Sequence, residues 1–365
     1  MKYDVAIIGG GIAGLSLSID LRKRGYKIIV IEKGNYPRHK VCGEYISNES
    51  KNYLQSICPV LSSLNLPAID HFKLTSGNNK EFSIRLAMGG FGISRYLLED
   101  LLFKEAEKQG VDFKLNIKAR SVDHTADDKS YSILTDSGNV TATLVCNSTG
   151  KNSNLKSSER ITTSSAANYV GVKYHIKLAR NQNRIEIHNF PGGYCGISNI
   201  EEEKSCLCYI VNAKNLNSVR NSIPELEKIF LFKNAHLKNI FASAEFIFEK
   251  PLTISGINFL IKEPVTDDAF FLGDAAGRVA PIAGNGMSMG LRAASMLAET
   301  IDQFFSEKIS KQQLSSNYTR SWDKAFSKRI KLSRHLQKLS EYSFLTKRTI
   351  ELFNFFPALA RGVIA

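Results

Sequence analysis

The sequence predicts an α/β chain: a βαβ nucleotide-binding domain, an antiparallel β-sheet substrate domain inserted into it, and a C-terminal helical region. Three observations predict this. Gly9-Gly10-Gly11-Ile12-Ala13-Gly14 stands between an apolar run and a helical pattern. Residues 165–262 alternate apolar and polar positions in short runs, as half-buried strands do. From Ser310 to the end the period is helical throughout. The expected domains are 1–70, 95–164 and 263–305 for nucleotide binding, 71–94 and 165–262 for substrate, and 306–365 for the helical region.

Tyr3 to Ile8 reads as a buried strand, Leu15 to Arg24 as a helix ending at Gly25, and Lys27 to Ile31 as a second strand closed by Glu32. Between the first strand and the helix lies G-x-G-x-x-G, the Rossmann-like arrangement. Gly9 permits the tight turn, Gly11 lets a diphosphate approach the backbone, and Gly14 lets helix pack closely on strand. The first helical residues, Ile12 and Ala13, offer free N–H groups to the phosphates. Glu32 stands 18 residues past Gly14, where a carboxylate accepts ribose hydroxyls, and Lys33 beside it is placed for the adenosine half.

Further along, residues 35–50 read as an irregular loop, and 71–94 as strands around a turn at 77–79. Tyr96 to Lys108 reads as a helix, and Val111 to Val145 as strand, turn, strand. One helix from about Pro224 to Phe232 interrupts the inserted sheet. Phe270 to Leu272 is a strand and Gly286 to Phe305 a helix.

The stretch after that strand decides which dinucleotide is expected. Gly273-Asp274 closes it, and Pro281-Ile282-Ala283-Gly284-Asn285-Gly286-Met287 opens the next helix. Asp274 can accept a ribityl hydroxyl, and the N–H groups from Gly284 to Met287 can face a flavin carbonyl. On these two motifs residues 1–300 resemble the FAD-dependent oxidoreductases of the p-hydroxybenzoate hydroxylase fold, and are most similar to the geranylgeranyl reductase group. Pro37-Arg38-His39-Lys40-Val41-Cys42-Gly43 resembles that group's flavin-side loop, which implies Arg38 as a cofactor contact and Cys42 facing the ring. Ile93-Ser94-Arg95 resembles the segment whose arginine reaches the FAD phosphates, so Arg95 is expected to pair with the diphosphate.

The resemblance implies a reductase acting on an apolar substrate that is isoprenoid, lipid or carrier-bound. The alternative is a monooxygenase hydroxylating an aromatic or polyene substrate. Behind these stand a halogenase and a non-catalytic flavoprotein. NAD(P)H is a possible electron donor, but Asn147-Ser148-Thr149-Gly150 lacks the aspartate that hydroxylases of this fold carry there. The Trp-x-Trp-x-Ile-Pro motif of halogenases is also missing: the only tryptophan, Trp322, is far from the flavin motifs, and Lys73 and Lys80 read as surface charges. Catalytic residues are not assigned. Cys42 and Tyr194 are the candidates, with Tyr169, Tyr174, Phe190, Tyr209, Phe246 and Phe248 as further pocket aromatics. No His/Cys/Glu spacing suggests a metal.

The net charge is +13, and the segment from Lys308 onward, with 12 basic and 3 acidic residues, supplies +9 of it. Placed at 100° per residue, Trp322, Ala325, Phe326, Ile330, Leu332, Leu336 and Leu339 share one half of a helix. Lys324, Lys328, Lys331, Arg334 and Lys338 share the other, with Arg329 the exception. That face is a solvated surface, or it docks on an anionic membrane or an acidic carrier protein. Nucleic acid is not expected, since no recognition motif accompanies the charge. Six scattered cysteines without metal or disulfide spacing, and no long apolar run, suggest a cytoplasmic protein, peripheral to a membrane if the tail docks on one.

Overall fold

The computed structural model describes residues 2–77, 80–125, 130–150, 168–257, 262–277, 284 and 286–364. The chain begins β1 (Lys2–Ile8), α1 (Ile12–Lys23), β2 (Ile28–Glu32), β3 (Tyr45–Ser47), α2 (Lys51–Ile57), β4 (Ala68–Thr75), β5 (Glu81–Gly92) and α3 (Arg95–Lys108). It continues with β6 (Asp112–Leu115), β7 (Ala119–His124), β8 (Tyr131–Thr135), β9 (Gly138–Asn147), β10 (Tyr169–Lys177), β11 (Arg184–Phe190), β12 (Gly193–Asn199) and β13 (Lys204–Asn212). Next come α4 (Ala213–Ser218), α5 (Ile223–Ile229), α6 (Ala235–Ser243), β14 (Glu245–Phe246), β15 (Leu252–Ile257), β16 (Val265–Thr266) and β17 (Ala269–Phe271). The last elements are α7 (Gly286–Phe305), α8 (Lys311–Ser340), α9 (Ser343–Phe355) and α10 (Pro357–Ile364).

The first sheet has the order β16-β17-β9-β1-β2-β6, with β7 and β8 joined to β9. β17, β9, β1, β2 and β6 run parallel. Parallel neighbours need a crossover, and both faces of such a sheet are covered. This explains why β1 and β2 read as continuous apolar runs. Val5 and Ile7 point to a core shared with α1, α2, α3, α7 and α8. Ala6 and Ile8 point to a second core closed by β7–β9.

The second sheet has the order β14-β10-β13-β12-β11-β4-β5-β3, with β15 on β10. It is mixed, not antiparallel as expected: β11 runs parallel to β4, because the chain reaches β11 from the far side of the sheet after the nucleotide domain. It also takes in β3, inside the stretch expected to be irregular, because Tyr45–Ser47 pair with Gly90–Gly92. Among the described residues, the single helix expected near 224–232 is one of three, α4 to α6, and 111–147 holds four strands instead of two. Of the turn at 77–79, Asn78 and Asn79 lie outside the described residues, as do Lys151, Asn152 and Ser153.

Side chains alternate across this sheet. Val172, Tyr174, Leu207, Tyr209 and Phe190 face α4–α6 and form a closed core. That corrects the expectation for Tyr174, Phe190, Tyr209 and Phe246, which pack under helices and do not line a pocket. The opposite face carries Tyr169, Ile187, Tyr194 and Ile210 in one apolar cluster. By the same alternation it also carries Lys173, His175, Cys206 and Cys208.

The helical region is no separate tail at its start. Tyr318, Trp322, Phe326 and Ile330 of α8 belong to the first core. The Tyr318 hydroxyl donates to the Phe271 carbonyl at 2.8 Å, so α8 is tied to the end of β17. Leu332 departs from the expected pattern: it is exposed, while Ser333, Gln337 and Ser340 on the other side of α8 are buried. Arg329, out of place on the apolar half, is accounted for by a fork to Glu49 at 3.0–3.1 Å.

Candidate FAD site

The glycine loop is shaped by contact. A Cβ at Gly9 would lie 2.6 Å from the Ser148 backbone, and one at Gly14 2.1 Å from the Gly9 carbonyl oxygen. Gly9 also has φ +102°, a conformation open mainly to glycine. At Gly11 the space is open: the nearest atoms to a Cβ are Lys40 Nζ at 3.6 Å and Arg95 Nη2 at 3.9 Å. Among the described residues no side chain caps α1, so its first N–H groups stay available to an anion. Ile12 and Ala13 are buried, and Ala13 carries the packing between motifs.

Glu32 is buried at the end of β2 and accepts from Gly10 N at 2.7 Å, Gly34 N at 2.9 Å and Arg38 Nη1 at 2.7 Å. Burial raises its pKa, but Arg38 and the two backbone donors outweigh burial and hold it below the usual carboxylate range. Arg38 also donates to the Gly10 carbonyl at 3.0 Å and to Glu99 at 3.2 Å. Lys33 is exposed.

Glu99 organises the rest, and sequence reasoning missed it. Its buried carboxylate meets Arg95, Arg38 and Lys40, the last at 3.2 Å. Burial works against ionisation, yet Arg95, Lys40 and Arg38 bring Glu99 down to about 2. Lys40 is lowered to about 8 by burial and by Arg95. Arg95 Nε is buried and makes no hydrogen bond among the described residues. The site therefore holds three cations beside the open face of Gly11, one with an unused donor. These residues fit a diphosphate. A signal was present: Arg95 and Glu99 stand four apart on one helix face.

The second motif arrives at the same place. Gly273 and Gly290 would each bring a Cβ to 3.4 Å from Ala13 Cβ, so β17 and α7 dock on the first turn of α1. Asp274 is exposed there and acts on the Arg95 charge. Gly284 has φ +64°, Gly286 opens α7, and Met287 is buried in the first core. Pro281 and Asn285 lie outside the described residues. Trp322 is not far from this motif in space: a Cβ at Gly277 would stand 3.2 Å from its ring, and it lines a small cavity with Gly273, Asp274, Gly286 and Met289. Chain distance misleads here because α8 folds back along α7.

The loop after β2 bridges the two sheets. Lys173 Nζ donates to the Lys40 carbonyl at 3.2 Å, Cys206 Sγ to the Cys42 carbonyl at 3.1 Å, and Ser198 Oγ to the Gly43 carbonyl at 2.7 Å. Glu44, fully buried, meets Lys173 and accepts from His175 at 2.7 Å and from the Arg95 backbone at 2.7 Å. Despite burial, His175 and Lys173 keep Glu44 below its ordinary pKa. Glu44, His175 and Cys206 lie close enough to share an ion, but the Lys173 ammonium already neutralises Glu44. Cys42 is half-buried at this junction; Lys73, expected as a surface charge, is instead a largely buried side chain on the interior strand β4, where it pairs with Glu81 at 2.6 Å. Neither Lys173 nor Glu44 was legible beforehand, because only sheet pairing brings them together. Tyr194 is buried with an unpartnered hydroxyl among the described residues, and burial pushes its pKa well above 10.

Residues 4–41 match the family model described as FAD dependent oxidoreductase. The chain is 23% identical to "Conditioned medium factor receptor 1" of Dictyostelium discoideum over 91% of this chain and 69% of the relative. It is 24% identical to digeranylgeranylglycerophospholipid reductase of Methanococcus vannielii over 93% of this chain and 88% of the relative. Among solved structures, the flavin-dependent brominase Bmp2 superposes with TM-score 0.80 at 20% identity, covering 100% of this chain and 92% of the other.

Proposed function

We propose that this chain, an FAD-dependent oxidoreductase, reduces carbon–carbon double bonds of an apolar isoprenoid or lipid substrate, as the geranylgeranyl reductases do. The observation that carries this reading is the inner face of the second sheet. Tyr169, Ile187, Tyr194 and Ile210 form its apolar cluster, on the same pleat face as Lys173 and Cys206, which meet the flavin-side loop. The apolar cluster on this face suits an apolar ligand. The likeness to the Methanococcus vannielii reductase supports the same substrate class.

When bound, FAD supplies the hydride chemistry. The protein's own residues bind and orient. Arg95, Arg38 and Lys40 would hold the diphosphate, Glu32 the ribose, and Asp274 the ribityl chain. The Lys173–Glu44–His175 group keeps the Cys42 loop on the sheet. Tyr194 stays protonated at neutral pH, and its buried, unpartnered hydroxyl would donate a hydrogen bond or proton to a substrate seated against it.

The test is turnover without oxygen. FAD-loaded protein, chemically reduced under anaerobic conditions, is incubated with a geranylgeranyl lipid and the product weighed by mass spectrometry. Gain of a hydrogen pair per double bond supports the reading. A product formed only with oxygen, carrying an added oxygen atom, replaces it with the monooxygenase. Tyr194→Phe should keep FAD content and slow turnover by about tenfold or more, as loss of a proton donor does.

A further inference from the structure

The C-terminal helices leave an apolar surface uncovered. α9 is apolar on two sides. One side, with Ile350 and Phe353, is buried on β5, where the Phe353 ring stands 5.4 Å from that of Phe82. The opposite side presents Phe344, Leu352 and Phe355, at 64%, 45% and 79% exposure. Residues 344, 348, 352 and 355 share one helix face, and Arg348 on it lies 5.3 Å from the Phe344 ring centroid. Phe356 and Leu359 carry the surface past the end of α9, and Tyr342 begins it. A soluble helix normally turns polar residues outward, and a contiguous exposed apolar patch marks an interaction site.

A cationic stripe lies on α8, the helix that precedes α9 in the chain. Arg320, Lys324, Lys328 and Lys331 are exposed and make no ion pair among the described residues. At 100° per residue they fall within about 80° of arc, over roughly 16 Å of helix. The basic residues that do pair, Lys311 with Asp268 and Arg329 with Glu49, lie off this stripe.

We infer that this surface seats the protein on an anionic lipid bilayer. The apolar side chains enter the headgroup boundary and the α8 cations meet lipid phosphates. No described helix is long and apolar enough to cross a membrane, so the attachment is interfacial. Charge selects this occupant over a second copy of the chain, since pairing two copies would oppose two segments that each carry +9. The inference stands on the surface alone and is independent of what the flavin does.

The test is sedimentation of the FAD-loaded protein with vesicles. Binding is expected with equal parts phosphatidylglycerol and phosphatidylcholine, and should fall with salt. It should be absent with phosphatidylcholine alone. Reversing Lys324, Lys328 and Lys331 to Glu should weaken binding by at least about 100-fold. Phe355→Ser with Phe356→Ser should abolish penetration while FAD content and circular dichroism stay unchanged. Wild-type protein that ignores anionic vesicles overturns the inference. So does a concentration-dependent dimer, seen by light scattering, that the phenylalanine variant loses.

Discussion

Trp322 of α8 packs on Gly277, four residues past Gly273 of the second flavin motif: a Cβ there would stand 3.2 Å from the indole ring. Trp322 is 1% exposed and is the only tryptophan in the chain. FAD loading should therefore quench the intrinsic tryptophan emission, and a titration should give a single quenching curve. Trp322→Ala should cost about 3–5 kcal/mol of stability, as deletion of a buried indole does. FAD retention should drop with it, because the cavity it leaves borders Gly273 and Asp274.

Gly11 and Gly14 should fail differently. Gly14→Ala drives a methyl to within 2.1 Å of the Gly9 carbonyl, so the apoprotein itself should misfold. Gly11→Ala meets nothing closer than 3.6 Å among the described residues, so the apoprotein should melt like wild type. Its methyl instead occupies the diphosphate approach. FAD affinity should fall about tenfold or more, or ~1.4 kcal/mol. Thermal melts of both apoproteins with an FAD titration check this.

Glu99 holds together three like charges. Glu99→Gln should destabilise the apoprotein by about 3–5 kcal/mol, the cost of removing one partner from a buried ion cluster. FAD should restore more stability to this variant than to wild type, since the diphosphate supplies the missing negative charge. For wild type the sign follows from a folded pKa near 2 against the ordinary 4.5. The contribution of Glu99 is complete above about pH 4.5 and is lost as pH falls toward 2. Melting temperatures of apo and loaded protein across pH 2–6 measure both effects.

Lys40 gives the opposite limb. Burial and Arg95 lower it to about 8, and a bound diphosphate would favour its charged form. FAD binding then takes up a proton above pH 8, so affinity should fall as pH rises from about 8 to 10. Lys40→Met should bind more weakly at pH 7 and show a flatter profile. FAD dissociation constants at pH 7, 8, 9 and 10 decide it.

The βαβ unit was legible in the order of residues alone. Strand, glycine turn, helix and Glu32 are contiguous, and each residue type there answers to backbone sterics or a local dipole. The sequence also set the total charge and the pattern of α8. Most of what surrounds the diphosphate position is set by packing between distant segments. Lys40 sits on the loop and Asp274 after β17, and packing alone brings them within reach of Arg95, which shares α3 with Glu99. The same holds for Glu44 with Lys173, which are 129 positions apart. Tyr194 and Tyr209 read alike as strand aromatics, yet the direction of the pleat and the helices laid against one face put one in the inner cluster and the other in the core. Which side of a sheet is covered is a property of the whole chain, because covering depends on elements distant in sequence.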